Sequence, residues 1–243
     1  MQILIVKTGD AIGELADRRG EFSRWIRDAA ADGGAHDWTD VDARLHSLPE
    51  HNLDAIIITG SSASVTERSP WMIRTESWLR ARIDEALPVL GICFGHQMLA
   101  QALGGRVVKN PVGREIGTIR ASRCDDDDPL FRGLSRELVV NATHVDTVHT
   151  LPAGARLLLT TDLDRHAAFA YRHHVWGVQF HPEIDAEIMR GYLDAREHIL
   201  RSEGFDPAAL RSACTDTPNG LQVIRNFLRL ASPGDEAVFS RRM

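Results

Sequence analysis

Lysine is almost missing from this 243-residue chain: Lys7 and Lys109 are the only two, and arginine supplies the rest of its 28 basic residues. That bias reads as genomic, not functional. Against 34 acidic residues the formal net charge is -6. Such a balance gives no electrostatic case for nucleic acid or an anionic membrane as partner. Cysteine is also scarce. Cys93, Cys124 and Cys214 are odd in number and follow neither a C-x-x-C nor a metal-ligand spacing. A disulfide framework is thereby excluded and a reducing compartment expected. Cys124 and Cys214 read as small buried hydrophobes. Long apolar runs are absent: nothing approaches the ~20 residues of a membrane span. The opening Met1-Gln2-Ile3-Leu4-Ile5-Val6 has neither the charged leader nor the long apolar stretch of a signal peptide. A cytoplasmic protein is expected. There is no internal repeat and no phosphate-binding P-loop.

What is present is an ordinary globular composition, long enough to bury a full core, and residues 1–243 are expected to form one domain. Ile3-Leu4-Ile5-Val6 reads as a buried strand, as do Ala55-Ile56-Ile57-Ile58-Thr59 and the stretch 88–92. Helical spacing of Phe22, Trp25, Ile26 and Ala29 predicts a helix over 21–31. A second is predicted over 71–86, with Trp71, Trp78 and Leu79 facing the core. Buried strands alternating with amphipathic helices imply an α/β fold: an open, mostly parallel central sheet flanked by helices. Short strand candidates at 116–120, 138–142, 156–160, 167–171 and 175–180 predict antiparallel additions. A single helix is expected over 185–203, with Ile188, Tyr192, Ala195 and Ile199 on one stripe, and a last one over 220–230. The tail from Ser232 is polar and expected to fray.

The chemistry concentrates at Gly91-Ile92-Cys93-Phe94-Gly95-His96-Gln97. A cysteine between glycines, where a strand turns into a helix, is a place for a nucleophile. The sharp turn tolerates little side-chain bulk, and the helix N-terminus favours the thiolate. A cysteine nucleophile needs a base and the base needs an orienter. Val178-Gln179-Phe180-His181-Pro182-Glu183 supplies both, because Pro182 ends the strand and residues two apart in extended chain share a side. Glu183 then reaches one nitrogen of His181 and leaves the other for Cys93. Other polar groups attract blander readings. Asp125-Asp126-Asp127-Asp128 reads as a solvated loop. His173-His174 is discounted as a metal pair, since strand neighbours point to opposite faces. His96 is expected to pack behind the turn, and the sequon at Asn141 is a chance match. Neither metal nor cofactor is expected.

G-I-C-F-G-H-Q followed far downstream by V-Q-F-H-P-E strongly resembles the class I glutamine amidotransferases. Those domains have a flavodoxin-like sheet and hydrolyse the side-chain amide of glutamine with a Cys-His-Glu triad. Further segments match in order. Ile58-Thr59-Gly60-Ser61-Ser62 sits where the family has its oxyanion strand, and Gly113-Arg114-Glu115-Ile116-Gly117 resembles its R-E-x-G segment. Thr143-His144-Val145-Asp146-Thr147-Val148 resembles S-H-x-D-x-V, and Thr217-Pro218-Asn219-Gly220-Leu221 resembles its closing T-P-x-G helix. The resemblance implies that Cys93, His181 and Glu183 are catalytic and that the backbone N–H groups of Ser61 and Phe94 form the oxyanion hole. It also implies that Gly60, Gln97, His144, Val145 and Asp146 contact substrate, although His144 and Asp146 fit equally well as loop residues satisfying backbone groups.

Two departures stand out. Ser61-Ser62 replaces the family's Gly-Pro; serine keeps the N–H donor but narrows the backbone conformations open to it. About thirty residues, 184–214, also separate the histidine motif from the closing helix, a helical insertion suited to covering the site or meeting a partner. The expected reaction is hydrolysis of a γ-glutamyl amide, glutamine to glutamate plus ammonia, through a γ-glutamyl thioester. One alternative is a γ-glutamyl peptidase that works without a synthase, and another is a non-catalytic binding or regulatory protein on the same fold. Expected partners are glutamine or a γ-glutamyl small molecule; a separate synthase subunit and a second copy of the chain are further candidates.

Overall fold

The computed structural model describes residues 1–31 and 35–232. The tail expected to fray, from residue 233 on, lies outside the described residues. A nine-stranded sheet runs through the chain. Its parallel half comprises Asp37–Asp42 (β2), Gln2–Lys7 (β1), Ala55–Ile58 (β3), Val89–Ile92 (β4) and Val175–Val178 (β11), in that spatial order. Ala168–Tyr171 (β10), Ala155–Thr161 (β9), Glu115–Arg123 (β6) and Glu137–His144 (β7) continue it antiparallel. Arg106–Lys109 (β5) and Asp146–Thr150 (β8) form a separate two-stranded sheet. The antiparallel strands are thus nearly half of the main sheet.

Period-two alternation sorts the central strands between two cores. Ile3, Ile5, Ile57, Leu90 and Ile92 face Phe22–Ala30 (α2) and Pro218–Ala231 (α8). Leu4, Val6, Ile56, Ile58 and Val89 face Pro70–Asp84 (α3) and Phe94–Ala102 (α4). The four apolar residues Ile3 to Val6 are all fully buried. Burial of each such side chain stabilises by about 1.5–3 kcal/mol, and coverage on both faces explains why these strands are apolar throughout.

A third core lies apart from the sheet faces. Leu15 of Gly13–Arg19 (α1), with Phe22 and Trp25 of α2, packs on Ile188, Met189, Tyr192 and Leu193 of Ala186–Ala195 (α5). Leu200 of Glu197–Ser202 (α6) joins the same cluster, and Pro207–Ala213 (α7) lies against α5. The segment 184–214 is therefore docked on 11–25.

Several expectations need correction. The single helix over 185–203 is two helices, broken at Arg196 (φ -109°, ψ 10°). The strand predicted to run to residue 180 stops at Val178. Trp71 and Trp78 are only partly buried, while Leu79 is fully so. Cys124 is exposed; Cys214 is buried. Asp128 is not solvated: it is 2% exposed, caps a short 3-10 turn at Pro129–Phe131, and accepts from the Trp176 indole at 3.1 Å. His173 and His174 sit in a turn, not a strand, with ring centroids 5.0 Å apart. Among the described residues no cluster of three or more metal-binding side chains occurs, and no helix is long and apolar enough to cross a membrane.

Candidate active site

Four strands of the parallel half end side by side, and the chain segments leaving them build one site, as open α/β sheets tend to do. β4 leads directly into Cys93, whose N–H donates to the Val178 carbonyl of β11 at 2.8 Å. Cys93 is held at φ 51°, ψ -100°, a conformation costly for a residue with a Cβ. Its neighbours explain how the turn closes. A Cβ on Gly91 would lie 2.4 Å from the Gly95 carbonyl oxygen, and one on Gly95 would lie 2.6 Å from that of Ile58. Only glycine fits either place, so the two glycines let α4 begin directly over the strand end. The sulfur then lies at the N-terminus of that helix, where the positive dipole end and free N–H groups favour negative charge.

β11 supplies the partners. Beyond Val178 the chain carries Gln179, His181 and Glu183, but it is not extended as expected: it bends at Gln179 and Phe180 and turns at Pro182 and Glu183, which folds Glu183 back beside His181. His181 Nδ1 and Glu183 Oε1 are 2.7 Å apart, both side chains buried. The other Glu183 oxygen is buried without a hydrogen-bond partner among the described residues, so nothing competes with His181 for its charge. The His181 backbone is fixed by its N–H donating to the Asn141 carbonyl at 2.8 Å, and its ring stacks on Phe22 with centroids 6.0 Å apart. Burial alone would lower the His181 pKa. The Glu183 and Cys93 charges and hydrogen bonds to both override it and push it up to about 10. For Cys93 burial alone would raise the pKa; the His181 charge, a hydrogen bond to His181 and the His144 charge bring it down instead. Both directions favour a thiolate beside an imidazolium over a thiol beside a neutral imidazole.

Around this pair, Gln179 Nε2 donates to the Cys93 sulfur at 3.5 Å. Gln97 Nε2 donates to Gln179 Oε1 at 3.0 Å and to the Asp146 carbonyl at 2.9 Å. His144, buried, bridges the Asp146 carbonyl through Nδ1 at 2.9 Å and Glu115 through Nε2 at 3.0 Å. Burial would lower the His144 pKa, but the Glu115 hydrogen bond and the neighbouring Asp164 and Cys93 charges raise it. The Asp146 carboxylate turns away to accept from the Ser64 hydroxyl, and the half-buried Val145 receives the Asn110 N–H on its carbonyl at 2.8 Å. On the opposite wall β3 leads into Gly60, where a Cβ would come within 2.8 Å of His181 Cε1. Ser61 follows, packed on Gly9 with its hydroxyl accepting from the Ala63 N–H at 3.1 Å.

A narrow cleft of about 30 Å³ opens beside His181 and is lined by Phe22, Ser61, Thr143, Tyr192 and Arg196 among others. Sequence reasoning passed over Gln179, Tyr192 and Arg196. The first was within reach, since the spacing of two that links His181 to Glu183 also reaches back to Gln179. Nothing local marks Tyr192 and Arg196, which arrive through the third core.

The family profile "Glutamine amidotransferase class-I" matches residues 16–193. The chain belongs to the class I glutamine amidotransferases. The GMP synthase (glutamine-hydrolyzing) of Thermus thermophilus is 35% identical over 192 residues, which is 78% of this amidotransferase but 30% of that protein. The chain thus spans about a third or less of the GMP synthases it matches. A Saccharomyces cerevisiae protein assigned to the glutamine amidotransferases, YLR126C, is 30% identical over 199 residues, 80% of this chain and 78% of its own. A Thermotoga maritima glutamine amidotransferase structure superposes with a TM-score of 0.78 at 24% identity, covering 96% of this amidotransferase and 99% of that chain. The fold, a mixed α/β sheet flanked by helices, is that of the family.

Proposed function

We propose that this amidotransferase hydrolyses a γ-glutamyl amide, glutamine in the simplest case, by two acyl transfers. The Cys93 thiolate adds to the γ-carbonyl carbon, and the oxyanion is held by the backbone N–H groups of Ser61 and Phe94. As the C–N bond breaks, the His181 imidazolium gives its Nε2 proton to the departing nitrogen, leaving a γ-glutamyl thioester. Water then adds to that thioester, giving a proton to His181 while the C–S bond breaks and the thiolate returns. Glu183 holds the imidazole in the required tautomer and stabilises its charged form. Gln97 and Val145, on the α4 side of the sulfur, hold the glutamyl group, with His144 and Asp146 fixing that wall. The observation that carries this reading is the buried Cys93–His181–Glu183 set, with Cys93 on a strained strand-to-helix turn. The reaction needs no metal or cofactor.

The likeness to the glutamine-hydrolyzing GMP synthases supports a synthase that receives the ammonia as a partner to look for. The test incubates the protein with glutamine, follows ammonia and glutamate, and treats it with an electrophilic glutamine analogue before intact-mass measurement. Equal amounts of both products are expected, together with one covalent adduct on Cys93. Cys93→Ala should lose the adduct and at least ~10⁴ in kcat/KM. An unreactive Cys93, with no turnover of glutamine or of γ-glutamyl peptides, would overturn the reading.

A further inference from the structure

Arg196 stands at the break between α5 and α6, with its backbone pinned on both sides. Its N–H donates to the Leu193 carbonyl at 3.2 Å and its carbonyl accepts from Leu200 at 2.9 Å. The side chain reaches the cleft beside His181, where its guanidinium carbon lies 4.7 Å from the centre of the Tyr192 ring. Nη1 is buried and has no hydrogen-bond partner among the described residues, and Arg196 takes part in none of the ion pairs formed among them. The acid on the cleft wall, Asp10, is already held by both terminal nitrogens of Arg44 at 2.8 Å each. A partly buried guanidinium whose Nη1 is out of water and unused is costly unless a ligand supplies an acceptor. The guanidinium fork matches a carboxylate.

Position decides which carboxylate. His181 must protonate the departing nitrogen, so the leaving group lies along the wall that His181 shares with Tyr192 and Arg196. Gln97 and Val145, assigned above to the glutamyl group, do not line this cleft. Ammonia would leave Arg196 without a partner, whereas an amino acid would not. We propose that Arg196, backed by Tyr192, binds a carboxylate on the leaving amine, so that the preferred substrates are γ-glutamyl amino acids or short γ-glutamyl peptides with a free carboxyl end. This rests on the hydrolase reading above and narrows its substrate. The cleft holds little more than a water molecule, so binding must part the Tyr192–Arg196 stack.

The test compares γ-glutamylalanine, its C-terminal amide and glutamine. Loss of a charge-assisted hydrogen bond corresponds to roughly 10- to 100-fold. The wild-type protein should therefore favour the acid over the amide in kcat/KM by about that factor. In Arg196→Gln the ratio should fall to about one, and Arg196→Lys should restore part of it. Wild-type kinetics without acid-over-amide preference, or an unchanged ratio in Arg196→Gln with an unaltered melting temperature, would overturn the assignment. Titrating both dipeptides into Cys93→Ala, with and without Arg196→Gln, asks the same question of binding alone. If nothing is hydrolysed but the acid still binds more tightly through Arg196, the hydrolase reading fails and the subsite stands. If both are hydrolysed equally, the subsite fails and the hydrolase reading stands.

Discussion

At the scale of single residues, the site depends on how Glu183 and His181 share charge. With Glu183 removed, burial is opposed only by Cys93, so the imidazolium should lose its proton at lower pH. In Glu183→Gln the alkaline limb of the kcat/KM profile should accordingly move down from near 10 towards the ordinary histidine range, while kcat falls by about 10² to 10⁴. The acid limb should move up, because a weaker imidazolium does less to hold Cys93 as thiolate. Both shifts narrow the same bell. A profile that keeps its limbs would show that Glu183 does not set the charge of His181. These residues were legible because their geometry is local: Gly91 and Gly95 bracket Cys93 on one turn, and Glu183 is two residues from His181. Tyr192 and Arg196 were not legible, since their place by His181 depends on packing between segments some 170 residues apart in sequence.

At the scale of elements, the segment 184–214 is held by the third core and by polar contacts, of which Asp185 makes two. Asp185 caps α5, its carboxylate accepting from the Ile188 N–H at 2.7 Å, and it also pairs with Arg19 of α1 at 2.6 Å. The pair is partly exposed, so most of its value is in the cap. Asp185→Ala should lower unfolding free energy in urea by about 1 kcal/mol. Faster amide hydrogen exchange should appear in α5 and not in α3; uniform change in both would place the effect in the whole fold. The break that follows α5 shows why periodicity misled. The stripe Ile188, Tyr192, Ala195, Ile199 implies one straight helix, yet Ile199 is 48% exposed and Leu200 is fully buried. Leu200 lies seven residues after Leu193, so the buried face keeps its helical phase across the break and the pattern carries no mark of it. Other missed elements carry weak signals of their own. β2 is Asp-Trp-Thr-Asp-Val-Asp, an edge strand held by pairing to β1, and α1 buries only Leu15. The central strands, apolar on both faces, were read correctly.

At the scale of the whole molecule, the buried histidines divide the pH axis between them. His96 lies fully buried behind the Cys93 turn, its ring 5.1 Å from that of Phe169, and burial pushes its pKa down to about 4. Its native state binds fewer protons than the unfolded chain between about 6.5 and 4, so stability must fall as pH falls through that window, by up to about 3 kcal/mol. His174, also pushed down by burial, acts in the same sense. His144 and His181 act oppositely. Their raised pKa values give stability fully present below the unfolded value near 6.5 and lost only as pH rises, towards 10 for His181. They are therefore silent in the acid window. Asp10, Asp42 and Glu203 are lowered by their arginine hydrogen bonds and surrender that stability only below the ordinary carboxylate range. Urea unfolding at pH 7, 5.5 and 4.5 should then show a decline that His96→Phe largely removes, whatever that variant's stability at pH 7. A decline of equal slope in the variant would shift the acid sensitivity away from His96. Acid weakening centred on His96 would also act where α4 meets the Cys93 turn. On the alkaline side, loss of the His181 proton should end activity while the fold still stands.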